Sequence, residues 1–300
     1  MDLLKVNESY IYGNVLSNTS ITSDYDAYIL NIIKSVITNN KVELNINFIT
    51  NNNFNFNNNK KTLIININYE HTLVKQNAPN EKSTHIGVIN YNINNKYLVR
   101  IHEYNKLLLS DIIIDYSIPN IYNIKTSNLF TSFSDKHIYI APCIYDNIYT
   151  SFKNRKIISL TTFYNPDIPR RKHLLNKFIN TSHININDCF DKTMLQDIYR
   201  NTKVLINIHQ TDYHDTFEEL RCLPALYNGV LVISEKSALY NLIPYNELII
   251  WSEYENIYQK TKEVLDNYEQ FHSHIFNSKN INILQDLHIN NVKTIENIIR

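Results

Sequence analysis

Polar residues suited to binding a nucleotide follow two apolar segments in the second half of the chain. A carboxylate can hold the diol of a ribose, whereas guanidinium groups and the N–H groups of a helix N-terminus can hold a diphosphate. The residues that combine these chemistries are Asn207 and His209 in and after the segment VLINI, Glu218 and Arg221 at the start of a helical segment, and Ser234 and Glu235 after the segment VLVI. We expect all six to line a nucleotide site, with His209 also a catalytic candidate.

Two further basic residues follow an apolar segment earlier in the same half. Arg170 and Arg171 come after the segment SLTTF, at the start of a predicted helix. At that position they can bind phosphate groups. The alternative is that they belong to a solvent-exposed basic face of the helix.

Structural roles remain open for four of these candidates. His209 can be an ordinary hydrogen-bonded residue at a strand end. Glu218 and Arg221, three residues apart, can form an exposed helical pair. Glu235 can cap the helix that follows it.

The first half of the chain offers one acid/base candidate. His102 and Glu103 follow the apolar segment YLVRI, where an acid or base of the first domain could stand. An ordinary surface pair is the alternative. The triplet Asp24-Tyr25-Asp26 has the letters of a metal motif but falls at a predicted helix start, so no metal site is expected.

Strand and helix patterns alternate in the second half, as in a doubly wound parallel sheet. The strands are apolar throughout, which is typical of central parallel strands. Gly229 supplies the left-handed position after the third helix. Strands are predicted at 156–162, 204–208, 230–234 and 247–251, and helices at 169–179, 191–200, 217–227 and 253–271.

The first half shows a similar alternation. Strands are predicted at 9–15, 41–48, 63–69, 111–116 and 137–141, a helix at 23–38, a hairpin at 86–102 turning at Asn94-Asn95, and an asparagine-rich loop at 51–61. The predicted fold class is therefore α/β, with two Rossmann-like domains facing each other across a cleft. We place the first domain at 1–150 and the second at 151–300, with the last helix packing back on the first domain.

Composition excludes several classes of protein. The three glycines, Gly13, Gly87 and Gly229, cannot form a dinucleotide fingerprint or a P-loop. With 29 basic and 29 acidic residues, the chain lacks the overall positive charge of a nucleic-acid-binding protein. Its three widely spaced cysteines form no C-x-x-C motif, so buried thiols are expected.

The polar pattern of the second half resembles that of GT-B glycosyltransferases. The resemblance is to the CgeB-like and group 1-like bacterial and viral glycosyltransferases. It covers roughly residues 110–240, including DYSIPNI and IYIAPCIYD in the first half, and lacks the glycine-rich loop that often follows the first strand of such folds. The segments that carry it most directly are Asn207-Ile208-His209, Glu218-x-x-Arg221 and NGVLVISE.

The resemblance implies a metal-independent transferase. It also implies a nucleotide diphosphate sugar, based on UDP or GDP, as the donor in domain 151–300. A glycan or glycoprotein is the expected acceptor, on the side of domain 1–150. A sugar-nucleotide epimerase and a non-catalytic binding relic remain as alternatives. The asparagine- and isoleucine-rich composition suits a large DNA virus, and we expect a cytoplasmic protein without a transmembrane segment, in the host cytoplasm if viral.

Overall fold

The computed structural model describes most of the chain and divides it into two units. The described residues are 3–6, 9–12, 21–41, 43–49, 62–70, 72–75, 78, 85–88, 97–127, 130–188 and 191–300. Unit 1 comprises Met1–Pro142 together with Leu287–Arg300, and unit 2 comprises Cys143–Asp286.

Unit 1 is built on a mostly parallel sheet and a small antiparallel one. Its strands are β1 (Leu3–Val6), β2 (Ser9–Tyr12), β3 (Asn45–Ile49), β4 (Thr62–Asn68), β5 (Leu73–Lys75), β6 (His85–Val88), β7 (Tyr97–Ile101), β8 (Ile112–Asp115) and β9 (His137–Tyr139). The six-stranded sheet has the order β1-β2-β3-β4-β8-β9, parallel except for the β1–β2 pair. The three-stranded sheet has the order β5-β7-β6 and is antiparallel.

Three helices accompany these strands in the described part of unit 1, before the chain enters unit 2. They are α1 (Ile21–Asn40), α2 (Tyr104–Leu109) and α3 (Ile118–Thr126). Helix α1 packs its apolar face into the core, where Ile29, Ile33 and Ile37 are fully buried. Their spacing of four residues places them on one side of the helix.

Unit 2 is a five-stranded parallel sheet with helices between its strands. The strands are β10 (Ile157–Thr161), β11 (His183–Asn185), β12 (Thr202–Asn207), β13 (Leu231–Glu235) and β14 (Ile249–Ser252), in the order β11-β10-β12-β13-β14. The helices are α4 (Pro169–Lys177), α5 (Lys192–Asn201), α6 (Glu219–Tyr227), α7 (Ile257–Asp266) and α8 (Tyr268–Ile275). The apolar residues of β12 and β13 are fully buried, as expected for central strands covered on both faces.

One buried arginine fixes the chain segment that leads into β10. The Arg155 guanidinium group donates hydrogen bonds to the carbonyl oxygens of Ser151 at 2.9 Å, Tyr199 at 2.9 Å, Thr202 at 2.6 Å and Asn228 at 2.7 Å. Because these carbonyls lie near the starts of β10 and β12 and the end of α6, Arg155 connects these three elements.

The last helix, α9 (Ser278–Ile299), begins in unit 2 and ends in unit 1. The Asn291 side chain donates from Nδ2 to the Ala141 carbonyl at 2.8 Å and accepts from the Ala141 amide at 2.9 Å through Oδ1. This paired contact fixes the C-terminal half of α9 beside the segment that follows β9.

The α/β fold class and most elements predicted in the second half are confirmed. The helix predicted at 253–271 is wrong, because the chain forms α7 and α8 with a break at Asn267. Asn267 has φ −120° and ψ 33°, and its side-chain Nδ2 donates to the Glu263 carbonyl at 3.1 Å. Such local side-chain bonding competes with a continuous helix. Helix α6 also begins at Glu219 rather than at Phe217.

Other sequence predictions have mixed outcomes. The hairpin is present as the antiparallel pair β6 and β7, but its predicted turn lies outside the described residues, as does the asparagine-rich segment 51–61. The short strands β1, β5 and β11 were not predicted, because three or four residues are too few to show a period. Gly229 has φ +68°, which confirms its predicted left-handed conformation.

Candidate functional site

The carboxyl edge of the unit 2 sheet carries a row of polar side chains. Asn207 of β12 pairs in register with Ser234 of β13, and Glu235 pairs with Ser252 of β14. On the other side of β12, Thr161 of β10 donates to Asn185 of β11 at 2.8 Å. Ligands of open parallel sheets bind outside this edge, so it is the candidate site.

Arg170 and Glu235 form the most completely paired part of this edge. The Arg170 Nη1 and Nη2 atoms each donate to a separate Glu235 carboxylate oxygen at 2.5 Å, and Nε donates to Asp212 at 2.7 Å. The guanidinium carbon lies 3.9 Å from the centre of the Tyr254 ring, and the Tyr254 hydroxyl donates to the Arg170 carbonyl. Burial disfavours the charge of Arg170, but its bonds with Glu235 and Asp212 outweigh burial and raise its pKa.

His209 lies between two carboxylates. Its backbone N–H donates to Glu235 at 2.9 Å. Its Nδ1 atom lies 3.5 Å from Glu235 Oε1 and 3.8 Å from Asp215 Oδ1. The side chain is buried, and Nε2 has no hydrogen-bond partner among the residues that the structure describes.

Asn207 connects the next two candidates. Its Nδ2 atom donates to the Ser234 hydroxyl at 3.0 Å, and its Oδ1 atom accepts from Arg221 Nη1 at 2.8 Å. The Ser234 hydroxyl donates in turn to the Glu235 carbonyl at 3.0 Å. The side chain of Arg221, on the first turn of α6, is thereby fixed at the end of β12.

A second guanidinium group lies near Arg221. The Phe163 ring centre is 4.8 Å from the guanidinium carbon of Arg171 and 6.0 Å from that of Arg221. Burial, together with repulsion from Arg221, lowers the pKa of Arg171 to about 10, although the Glu218 carboxylate opposes this shift. Arg171 is 5% exposed, its Nε atom is buried without a partner, and no carboxylate of the described residues forms an ion pair with it.

The Arg171 guanidinium group therefore stands in a partly uncompensated positive environment. Among the described residues it forms one hydrogen bond, from Nη1 to the Asn165 carbonyl, and this bond is long at 3.5 Å. Arg171 and Arg221 lie near the same ring, and neither forms an ion pair with a carboxylate of the described residues, so we call them the cationic pair. A buried cation that is not neutralised is costly, and a doubly charged anion would compensate it.

Sequence reasoning missed one buried acid in this region. Glu219, the first residue of α6, is fully buried, and its Oε2 atom accepts a hydrogen bond from the Tyr245 hydroxyl at 2.8 Å. An acidic residue in the first turn of a helix is usually an exposed N-terminal charge, so the sequence carried no signal for its burial.

The unit 1 candidates stand in a different setting. The backbone N–H groups of His102 and Glu103 donate to the Glu70 carboxylate at 2.6 Å and 2.7 Å, and both side chains are exposed. Burial raises the pKa of Glu70, and these two hydrogen bonds oppose the rise. His102 and Glu103 thus lie beside Glu70 at the start of α2, and their catalytic role stays a prediction.

A buried acid that the sequence did not single out for this role lies near Glu70 in unit 1. Asp26 of α1 accepts a hydrogen bond from the Tyr69 hydroxyl, directly after β4. Burial raises the pKa of Asp26 to about 7, although the bond from Tyr69 and the charge of Lys106 oppose the rise. Lys106 is itself buried, and burial lowers the pKa of its ammonium group despite attraction from Glu103, Asp26 and Glu70.

The remaining features concern the cysteines, metal ligands and membrane-spanning helices. Cys143 and Cys222 are buried, and Cys189 lies outside the described residues. In the part of the chain that the structure describes, no three or more His, Cys, Asp or Glu residues gather as metal ligands. Within the same residues, no helix combines the length and hydropathy needed to cross a bilayer.

The two Rossmann-like α/β units, each with a largely parallel sheet, are those of the GT-B fold. The chain is similar in structure to TarM, a GT-B glycosyltransferase, with a TM-score of 0.51 and 12% identity. The similarity covers 90% of this chain and 58% of TarM. At this identity the likeness establishes the fold, whereas the activity must be argued from the site.

Two viral proteins are similar in sequence, and no protein-family model matches the chain. The uncharacterized protein R358 of Acanthamoeba polyphaga mimivirus is 30% identical over 188 residues, which are 61% of this chain and 63% of R358. The uncharacterized protein L137 of the same virus is 28% identical over 174 residues, which are 55% of this chain and 23% of L137. The chain therefore spans less than two thirds of each relative.

Proposed function

We propose that this protein is a glycosyltransferase that moves a sugar from a nucleotide diphosphate sugar to a glycan or glycoprotein acceptor. The observation that carries the proposal is the cationic pair Arg171 and Arg221 at the carboxyl edge of the unit 2 sheet. The GT-B fold shared with TarM supports the same reaction class. The finer kinship with CgeB-like and group 1-like enzymes, carried by Asn207, His209 and Glu218, is part of this proposal.

The cationic pair suits a diphosphate for electrostatic reasons. Each guanidinium group offers several N–H donors in a plane, which match the oxygen geometry of a phosphate group. An anion beside Arg171 would relieve both its burial and its repulsion from Arg221. The N-terminal end of α4, where Arg171 stands, adds the partial positive charge of a helix start.

The neighbouring residues divide the remaining roles. Arg170 is already paired with Glu235 and Asp212, so we assign it to holding the edge together rather than to the phosphates. Glu218, the residue directly before α6, is the proposed ligand of the ribose diol. Asn207 and Ser234 fix the direction of Arg221.

The chemistry of transfer then follows from the charges. Breaking the bond between the sugar and the diphosphate places negative charge on the leaving diphosphate, and preorganised guanidinium groups stabilise that charge in the transition state. Since Arg171 and Arg221 supply positive charge themselves, the proposed reaction proceeds without a metal ion. Unit 1 is the proposed acceptor side, where His102, Glu103 and Glu70 are the candidates for accepting a proton from the acceptor hydroxyl.

Turnover with a panel of donors tests the proposal. The protein is incubated with UDP- and GDP-sugars, with and without glycan acceptors, and the released nucleotide and the glycan products are measured in the presence of EDTA. Nucleotide release that needs an acceptor and survives EDTA is expected. Arg171→Gln should lower this rate at least tenfold, whereas the exposed neighbour Lys172→Gln should not change it.

Other outcomes identify the alternatives. A changed sugar without an acceptor would indicate an epimerase instead. Nucleotide binding without turnover for any donor would indicate a non-catalytic protein. Either result would overturn the proposed transfer.

A further inference from the structure

The two ring nitrogens of His209 have different surroundings among the described residues. Nδ1 lies near two carboxylates, whereas Nε2 has no hydrogen-bond partner. The backbone N–H of His209 donates to Glu235, and its Nδ1 atom faces the carboxylates of Glu235 and Asp215. The residue is 4% exposed, and Nε2 is buried without a hydrogen-bond partner among the described residues. A buried nitrogen without a partner is unfavourable, so it is a point where a ligand can gain a hydrogen bond.

The surroundings determine which ring nitrogen carries the proton. Two carboxylate oxygens near Nδ1 favour the tautomer with the proton on Nδ1, because the N–H then points at negative charge. Burial lowers the pKa of His209, with attraction from Glu235 and Asp215 opposing the shift and repulsion from Arg170 adding to it. At neutral pH the ring is therefore uncharged and Nε2 is a hydrogen-bond acceptor.

An acceptor selects its partner by chemistry. The ionised oxygens of a diphosphate only accept hydrogen bonds, so they would meet the lone pair of Nε2 unfavourably. A hydroxyl group donates and fits. A nucleotide sugar offers hydroxyl groups on both its ribose and its transferred sugar.

We infer that Nε2 of His209 accepts a hydrogen bond from a hydroxyl group of the nucleotide sugar. The inference rests on the proposed function and deepens it, because it assigns His209 to the sugar parts of the donor and not to the phosphates. His209 is then a binding residue whose tautomer is set by Glu235 and Asp215.

Access to Nε2 requires a small local movement. The loop from Gln210 to His214 follows His209 directly, and its residue Asp212 is 79% exposed in its ion pair with Arg170. Exposed ion pairs contribute little stability, so this loop can shift at low cost while the Arg170–Glu235 pair remains.

Calorimetric binding tests the assignment with defined probes. The UDP- or GDP-sugar that the wild-type protein binds is compared with the matching nucleoside diphosphate, its 2′-deoxy form and inorganic pyrophosphate. His209→Phe should weaken binding of the nucleotide sugar about tenfold and leave pyrophosphate binding unchanged. His209→Gln, whose amide oxygen reaches the position of Nε2, should restore binding to within about threefold.

The probes also separate the two sources of the hydroxyl. If His209→Phe weakens binding of the nucleotide sugar alone, the hydroxyl belongs to the transferred sugar. If binding of the nucleoside diphosphate is also weakened, the hydroxyl belongs to the ribose: it is the 2′-hydroxyl when the 2′-deoxy form binds unchanged and the 3′-hydroxyl when that form is weakened too. Both results support the inference, and the exposed residue His173, changed to Gln, is the control.

The pH dependence of nucleotide-sugar binding distinguishes a direct hydrogen bond to Nε2 from a purely structural role of His209. Wild-type affinity for the nucleotide sugar should fall as acid protonates His209, because Nε2 then loses its lone pair. The charged groups that face His209 are Glu235 of β13, Asp215 and Glu218 of the segment between β12 and α6, and Arg170 of α4. His209→Gln keeps all four and should remove the His209 part of the pH dependence.

Different results would contradict the proposed function and the role of His209. If the wild-type protein binds no nucleotide sugar, the proposed function and this inference both fail. If the wild-type protein binds and His209→Phe binds equally well, or loses pyrophosphate to the same degree, only the inference is overturned. Should His209→Phe not fold, a His209→Gln variant with unchanged pH dependence overturns it instead.

Discussion

Arg170 and Glu235 join the start of α4 to the end of β13 through a two-point ion pair with both N–O distances at 2.5 Å. The next residue along the helix, Arg171, forms no ion pair with any described carboxylate. Adjacent arginines thus differ in their surroundings, since the charge of Arg170 is neutralised within the fold and that of Arg171 has no ion-pair partner among the described residues. This difference underlies the proposed assignment of the diphosphate to Arg171.

Breaking the Arg170–Glu235 pair should destabilise unit 2. Glu235→Gln leaves a guanidinium group that is only 13% exposed without its main counter-charge. Loss of one partner of a buried ion pair costs about 3 kcal/mol in the free energy of unfolding. Urea denaturation measures this loss.

A matched exposed pair is the control for this prediction. Asp167→Asn breaks the pair between Lys172 and Asp167, which lies in solvent, and should change the free energy of unfolding by less than about 0.5 kcal/mol. Equal effects of the two substitutions would contradict the buried role of Glu235.

Stability should depend on pH through Asp26. Burial raises the pKa of this carboxyl to about 7 in the folded protein, whereas an unfolded chain ionises it near 3.8. The folded state therefore holds the proton more tightly, and the stability from Asp26 is complete below about pH 4 and is lost as the pH rises to about 7. The loss is roughly 4 kcal/mol.

The comparison of Asp26→Asn with the wild-type protein checks the predicted direction of the pH dependence of stability. The amide keeps an acceptor for the Tyr69 hydroxyl and cannot ionise, so the variant should be the more stable protein at pH 8. The exposed Asp135→Asn should follow the wild-type pH profile. Parallel profiles for the wild-type protein and Asp26→Asn would show that Asp26 does not titrate in this range.

Gly229 is required by both conformation and space. Its φ is +68°, and a Cβ atom would lie 2.5 Å from the Tyr149 carbonyl oxygen and 2.6 Å from Arg155 Nη2. Gly229→Ala should therefore lower the free energy of unfolding by at least about 2 kcal/mol, from left-handed strain and from disturbed Arg155 hydrogen bonds.

A second positive-φ residue is the control for the strain. Asn154 also has a positive φ, at 62°. Asn154→Gly relieves the left-handed strain there, so the free energy of unfolding of this variant should stay within about 1 kcal/mol of the wild-type value. Thermal unfolding of both variants makes the comparison. A Gly229→Ala variant as stable as the wild-type protein would disprove the close approach of Arg155.

The sequence predicted the fold better than the site. Apolar runs such as those of β12 and β13 are local signals, and the polar residues after them were expected at one edge because parallel strands end together. The pairing of Arg170 with Glu235 was not predictable, because it joins residues 65 positions apart through the register of three strands. The burial of Asp26 and Glu219 was hidden for the same reason, since each depends on a tyrosine hydroxyl from a distant segment.

Calorimetric titration of nucleoside diphosphates and monophosphates into three proteins tests the cationic pair most directly. The wild-type protein and Lys172→Gln should bind UDP or GDP with the same affinity and more tightly than the monophosphate. Arg171→Gln should bind the diphosphate about ten to one hundred times more weakly and lose most of the preference over the monophosphate, because one charge-assisted contact is removed. Equal diphosphate affinity for Arg171→Gln and the wild-type protein would contradict the assignment of the donor diphosphate to Arg171 and Arg221.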